Sequence, residues 1–115
     1  MTFNIFEIVG PYCVVSDDGE RLSEQVATEL SAGRCVELDF SGVKDVISAF
    51  LNPAIGSLYG RFPKDFISAN LRLTGLDETD AEIVEIVRER AIRYFESDEP
   101  RQDAMRNASR NAVEA

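Results

Sequence analysis

Residues 35–40 alternate without interruption: Val36, Leu38 and Phe40 point one way, and Cys35, Glu37 and Asp39 the other. A period of two belongs to an extended strand, because successive side chains leave a pleated sheet on opposite faces. Before this run, Leu22, Val26 and Leu30 recur at intervals of four, with Gly33 placed for a left-handed cap; after it, Ile55, Leu58, Tyr59 and Phe62 form a second stripe. A strand set between two amphipathic helices gives each helix a sheet face to cover, so the chain is expected to form an α/β sandwich.

The flanking segments extend this pattern. Residues 3–9 are rich in aromatic and β-branched side chains and stop at Gly10-Pro11, after which Tyr12-Cys13-Val14-Val15 has the same character, so a strand, a turn and a second strand are expected. The short acidic run Ser16-Asp17-Asp18 supplies acceptors for the free amides of the first helix. The second helix is expected between residues 48 and 62. Pro53 leaves its start open: either Asn52 caps with Pro53 at the first helical position, or Ser48 caps with Pro53 in the opening turn. Residues 71–76 form the fourth strand. Thr79 and Glu82 then have capping-box spacing before a last helix striped by Ile83, Ile86, Val87, Ala91, Tyr94 and Phe95. The expected order is strand, strand, helix, strand, helix, strand, helix, around a mixed sheet of about four strands. The domain is expected to occupy residues 3–97. Beyond it, residues 98–115 lose the apolar period and read as a mobile tail or a weakly docked helix.

Composition narrows the chemistry. The 115 residues suffice for one domain, and no apolar run reaches the roughly 20 residues of a membrane span. The start lacks a signal-peptide pattern, so a cytoplasmic protein without a membrane partner is expected. A net charge of −9 disfavours direct contact with nucleic acid. Histidine is absent, which removes serine–histidine and cysteine–histidine hydrolysis together with the commonest metal ligand. Cys13 and Cys35 have no CxxC spacing and are expected to be free, half-buried thiols, and a lone carboxylate such as Asp39 is a poor metal site. No cofactor and no catalytic residue are expected. Charge is also uneven: residues 1–45 hold nine acids and three bases, whereas residues 46–76 hold Asp65 alone against Arg61, Lys64 and Arg72. The usual source of such a difference is a solvated acidic face elsewhere, but it also marks residues 46–76 as a place where a partner could dock without stripping water from many carboxylates. Gly56 and Gly60, four apart on one helix face, fit either tight packing on the sheet or the approach of a partner's helix.

The run Val36-Glu37-Leu38-Asp39-Phe40-Ser41-Gly42-Val43, then Ile47-Ser48-Ala49-Phe50-Leu51 and Leu71-Arg72-Leu73-Thr74-Gly75-Leu76, resembles the STAS fold of sulfate transporters and anti-sigma-factor antagonists. With Gly19 and Leu22 early in the first helix, it resembles more closely the stand-alone STAS-like family of unknown function. The resemblance covers roughly residues 3–96. It implies a protein-binding regulatory module that docks a partner, such as a histidine-kinase-like ATPase, through the helix at 46–62 and the adjoining strand ends. Its site residues would be Asp39, Ser41, Ser48, Ala49, Phe50, Asn52, Gly56 and Tyr59. In anti-sigma-factor antagonists a serine at the start of the second helix is phosphorylated. Spacing from Asp39 puts that position on Ala49, which has no hydroxyl, so the switch is absent or moved to Ser48, the candidate phosphoacceptor. Ser48 is also explained as a plain helix cap, and Asp39 as a loop-orienting residue. Two other functions compete: an acidic mobile-element protein that covers the basic nucleic-acid-binding surface of a host defence complex, and a small enzyme built on Asp39 or Glu37 with Ser41 or Ser48.

Overall fold

The computed structural model describes residues 1–96; the expected tail at 98–115 lies outside the described residues. The elements are β1 (Thr2–Asn4), α1 (Ile5–Ile8), β2 (Tyr12–Cys13), α2 (Ser16–Ser31), β3 (Val36–Asp39), β4 (Asp45–Val46), α3 (Ser48–Ala54), a 3-10 helix (Gly56–Gly60), α4 (Lys64–Asn70), β5 (Leu71–Thr74) and α5 (Glu78–Glu96). No described helix is long and apolar enough to cross a membrane.

The fold is α/β, as expected, but the strands divide into two small sheets. The first has the order β1-β3-β5 and the second pairs β2 with β4. Every pairing is parallel, so the expected mixed sheet of four strands is replaced by a three-stranded and a two-stranded one. The register puts Leu38 beside Phe3 and Leu73, and Glu37 beside Thr2 and Arg72. Alternation therefore sorts the large sheet into an apolar face and a polar one, the latter formed by Thr2, Asn4, Glu37, Asp39, Arg72 and Thr74. The apolar face continues into a core containing Leu22, Val26, Leu30, Leu38, Phe40, Phe50, Leu51 and Leu58, all buried. The α2 helix packs on β3 and on α3, and α3 and the 3-10 helix in turn meet α5.

Local chemistry explains the departures from the sequence pattern. The first strand stops at Asn4 because its Oδ1 accepts the Glu7 amide at 3.1 Å, a side-chain cap that starts α1 where β-branched residues favour continuation as strand. The acidic run does not cap α2 but forms its first turn: the helix begins after Val15 with no side-chain cap bond. Its far end is as expected, with Gly33 at φ +82°. In the expected second helix, Pro53 sits near the end of α3 rather than at its start. The Ser57 hydroxyl donates to the Pro53 carbonyl at 2.6 Å, and the backbone then tightens into the 3-10 helix with Leu58 N–H donating to Ile55 O at 3.0 Å. Helix α4 has no counterpart in the sequence pattern, and β5 ends two residues short of Leu76. The cap of α5 is Asp77, whose Oδ1 accepts the Asp80 amide at 2.8 Å, two residues before the cap that the Thr79 and Glu82 spacing predicts. The two cysteines are free, but instead of being half-buried, Cys13 is buried and Cys35 exposed.

Candidate functional site

The two-stranded sheet organises one corner of the molecule. Tyr12 pairs with Asp45 and Cys13 with Val46, and the Ile47 amide donates to Cys13 O at 3.1 Å. Both strands thus end together, and α2 and α3 start side by side. Gly19 in the first turns of α2 permits this approach: a Cβ there would land on the carbonyl oxygen of Phe50 and lie 2.9 Å from Pro53 Cγ. The contact also explains why Gly19 accompanies Leu22 at the start of this helix.

Of the expected site residues on α3, Ser48, Ala49 and Asn52 are exposed and Phe50 is fully buried. The N-cap of α3 is Ile47, whose carbonyl accepts the amides of Phe50 and Leu51, each at 3.1 Å. Ser48 is therefore the first helical residue and makes no side-chain cap bond, so neither expected cap, Ser48 or Asn52, opens the helix. Beside it lie exposed apolar side chains: Val15 is 48% exposed and Ile47 38%, with Tyr12 and Val14 also open to solvent. The sequence places Tyr12, Val14 and Val15 in a four-residue strand where only Tyr12–Cys13 pairs; the nearness of Ser16 to the strand was the signal that little room remained for it.

Carboxylates surround this corner. The Cys13 thiol is pushed up to about 11, first by burial and then by the charges of Asp18 and Asp80. It is protonated at neutral pH and is a poor nucleophile. Asp80 is itself raised, by burial and then by Asp77 and Asp45. No group of three His, Cys, Asp or Glu among the described residues is arranged to hold a metal ion.

Asp39 and Ser41 form a separate group at the end of β3. Asp39 Oδ1 accepts the Ser41 amide at 2.9 Å, and bonds from the Ser41 side chain and backbone hold the carboxyl below its usual range. Gly75, at φ +78°, closes over this turn so tightly that a Cβ would lie 2.5 Å from Ser41 N and 2.8 Å from Asp39 Oδ1. Asp39 thus orients the strand-end loop. Glu37, also lowered, accepts from the Thr74 hydroxyl at 2.8 Å and Arg72 at 3.1 Å on the polar sheet face.

Gly56 and Tyr59 are buried, not on a docking face. A Cβ on Gly56 would lie 3.5 Å from Ala91 Cβ and one on Gly60 2.6 Å from the Phe95 ring, so the glycine face meets this chain's own α5 rather than the sheet or a partner's helix. The Tyr59 hydroxyl accepts from Arg88 Nε at 3.0 Å, and burial raises the phenol above its ordinary value.

Residues 18–81, from the first turn of α2 into α5, match the family described as a STAS-like domain of unknown function. The chain belongs to this family. The matched stretch contains the Gly19 contact, the Asp39 turn, Ser48 and the Gly75 closure. No curated protein and no solved structure matches the chain.

Proposed function

We propose that this STAS-like domain is a non-enzymatic regulatory module that binds another protein through the corner where α2 and α3 begin together, with Ser48 as its phosphoacceptor. The observation that carries the reading is the exposed Ser48 at the first position of α3, uncommitted to capping and flanked by exposed Val15 and Ile47. Apolar side chains at a rim of polar ones supply contact area, and a dianion introduced among them changes the surface potential abruptly. Ala49 and Asn52 are exposed on the same short helix, with Phe50 buried beneath them, while the Asp39–Ser41 turn lies apart at the end of β3. The resemblance to anti-sigma-factor antagonists suggests a histidine-kinase-like ATPase as the partner.

The test begins with affinity capture from the native host and mass spectrometry, followed by binding of the purified partner to wild type and Ser48→Asp. Binding should weaken at least tenfold, about 1.4 kcal/mol, with an unchanged melting temperature, because Asp is well tolerated in the first helical turn. A second reading draws on the carboxylates of this corner: Asp77 and Asp45 help raise Asp80, and Asp18 and Asp80 help raise the Cys13 thiol. An acidic protein that covers a basic nucleic-acid-binding surface would bind Ser48→Asp as well or better and would lose affinity steeply with salt. Measurement at two salt concentrations separates the two.

A further inference from the structure

Among the described residues the three-stranded sheet ends at β5, which pairs with β3 alone. Thr74 O accepts the Phe40 amide at 2.8 Å, so residue 74 turns its backbone groups toward β3. By the alternation of a parallel ladder, Leu73 directs its own N–H and C=O to the opposite, open edge. The Leu71 amide on that edge is already used, donating to Ile67 O at the end of α4, while its carbonyl accepts no bond from the described residues. Alongside runs a groove of about 380 Å³ between the strand and α5, lined by Leu71, Leu73 and Leu76 on one wall and Ala81, Val84 and Arg88 on the other. Arg88 is fixed there by Tyr59 Oη at 3.0 Å, Ser68 Oγ at 3.1 Å and Glu85 at 3.1 Å.

A free strand edge beside an apolar groove has one natural complement. We propose that the β5–α5 groove receives an extended peptide segment of a partner protein, which adds to the sheet as a fourth strand. Its backbone bonds to Leu73 N–H and C=O and to Leu71 C=O, every second side chain enters the groove, and an acidic residue meets Arg88 or Arg72 at the rim. The occupant is a single extended segment rather than a second copy. A second copy would have to bring its own edge, β1 or β5, and it carries the same net charge of −9, which opposes association of the chain with itself. This surface goes beyond the Ser48 corner and uses different residues.

The test is nitrogen-15 NMR of the full chain with an eight-residue acetylated peptide that alternates valine and threonine and ends in aspartate. The expected result is shifts at residues 71–76 and 81–88, at least tenfold slower hydrogen exchange of the Leu73 amide, and unchanged behaviour in Ser48→Asp. Ala81→Met, which fills the groove from the helix side, should weaken the peptide at least tenfold without lowering the melting temperature; if it lowers it, the exchange of the Leu73 amide in wild type decides. Absence of shifts at millimolar peptide overturns the proposal, as do shifts confined to other surfaces. So does concentration-dependent pairing of the chain with itself through residues 71–76 in the absence of peptide.

Discussion

Two helix contacts in this domain depend on glycine, and they differ in what the missing Cβ would strike. At Gly19 the obstacles are the Phe50 carbonyl, the Ala54 amide and the Pro53 ring, all fixed parts of α3. At Gly60 the obstacle is the ring of Phe95, a side chain 37% exposed near the end of α5. The first contact is backbone against backbone and cannot yield without separating α2 from α3. The second yields by rotation of one ring. The domain is therefore locked at the corner where α2 and α3 start and compliant where α5 meets the 3-10 helix.

Gly19→Ala is the strongest challenge to this contrast. It should cost at least about 3 kcal/mol and lower the melting temperature by more than about 12 °C. A loss below 1 kcal/mol would mean that the two helices slide apart freely. Next in size is the difference between the thiols. In the native protein Cys35 should react with a thiol reagent at least about a hundredfold faster than Cys13, which is buried and held protonated; denatured, unreduced protein should show two equivalents. Comparable native rates would show the corner opening readily.

Gly60→Ala should cost about 1 kcal/mol, and Phe95→Ala in the same chain should recover most of that loss, because it removes the obstacle. Without such recovery the contact is as rigid as the one at Gly19. Asp80→Asn should raise the melting temperature slightly at pH 7. Burial and the neighbouring Asp77 and Asp45 raise the folded pKa of Asp80 above its unfolded value, so its ionised form opposes folding. That advantage should disappear as the pH falls below the unfolded value of about 3.9, where both states hold the proton. An advantage persisting at pH 3 would assign the effect to something other than charge. Smallest of all, Gly56→Ala should change stability by less than about 0.5 kcal/mol, since its Cβ would sit in ordinary contact 3.5 Å from Ala91.

The sequence was most legible where one element's period decides its own burial. The stripe of Leu22, Val26 and Leu30 gave α2, the alternation of Val36, Leu38 and Phe40 gave β3, and the long apolar stripe gave α5. It was least legible where a single side-chain bond competes with propensity. Asn4 capping α1 and Ser57 bonding the Pro53 carbonyl each redirect the chain, and neither leaves a periodic signal. The candidate site was mixed in the same way: Ser48, Ala49 and Asn52 proved accessible, whereas Phe50, Gly56 and Tyr59 on the same stretch turned inward.

By itself the sequence determined the α/β class, the family through its Leu-Asp-Phe-Ser-Gly-Val block, and the acidic charge, because these depend on composition and on residues close together in the chain. Only the tertiary structure decided that the five described strands divide into two parallel sheets, that the face of Gly56 and Gly60 belongs to α5, and that Val15 and Ile47 stand in solvent beside Ser48. Those outcomes rest on contacts between residues tens of positions apart. Such contacts are selected by which surfaces fit in space, and a local pattern carries no record of that fit.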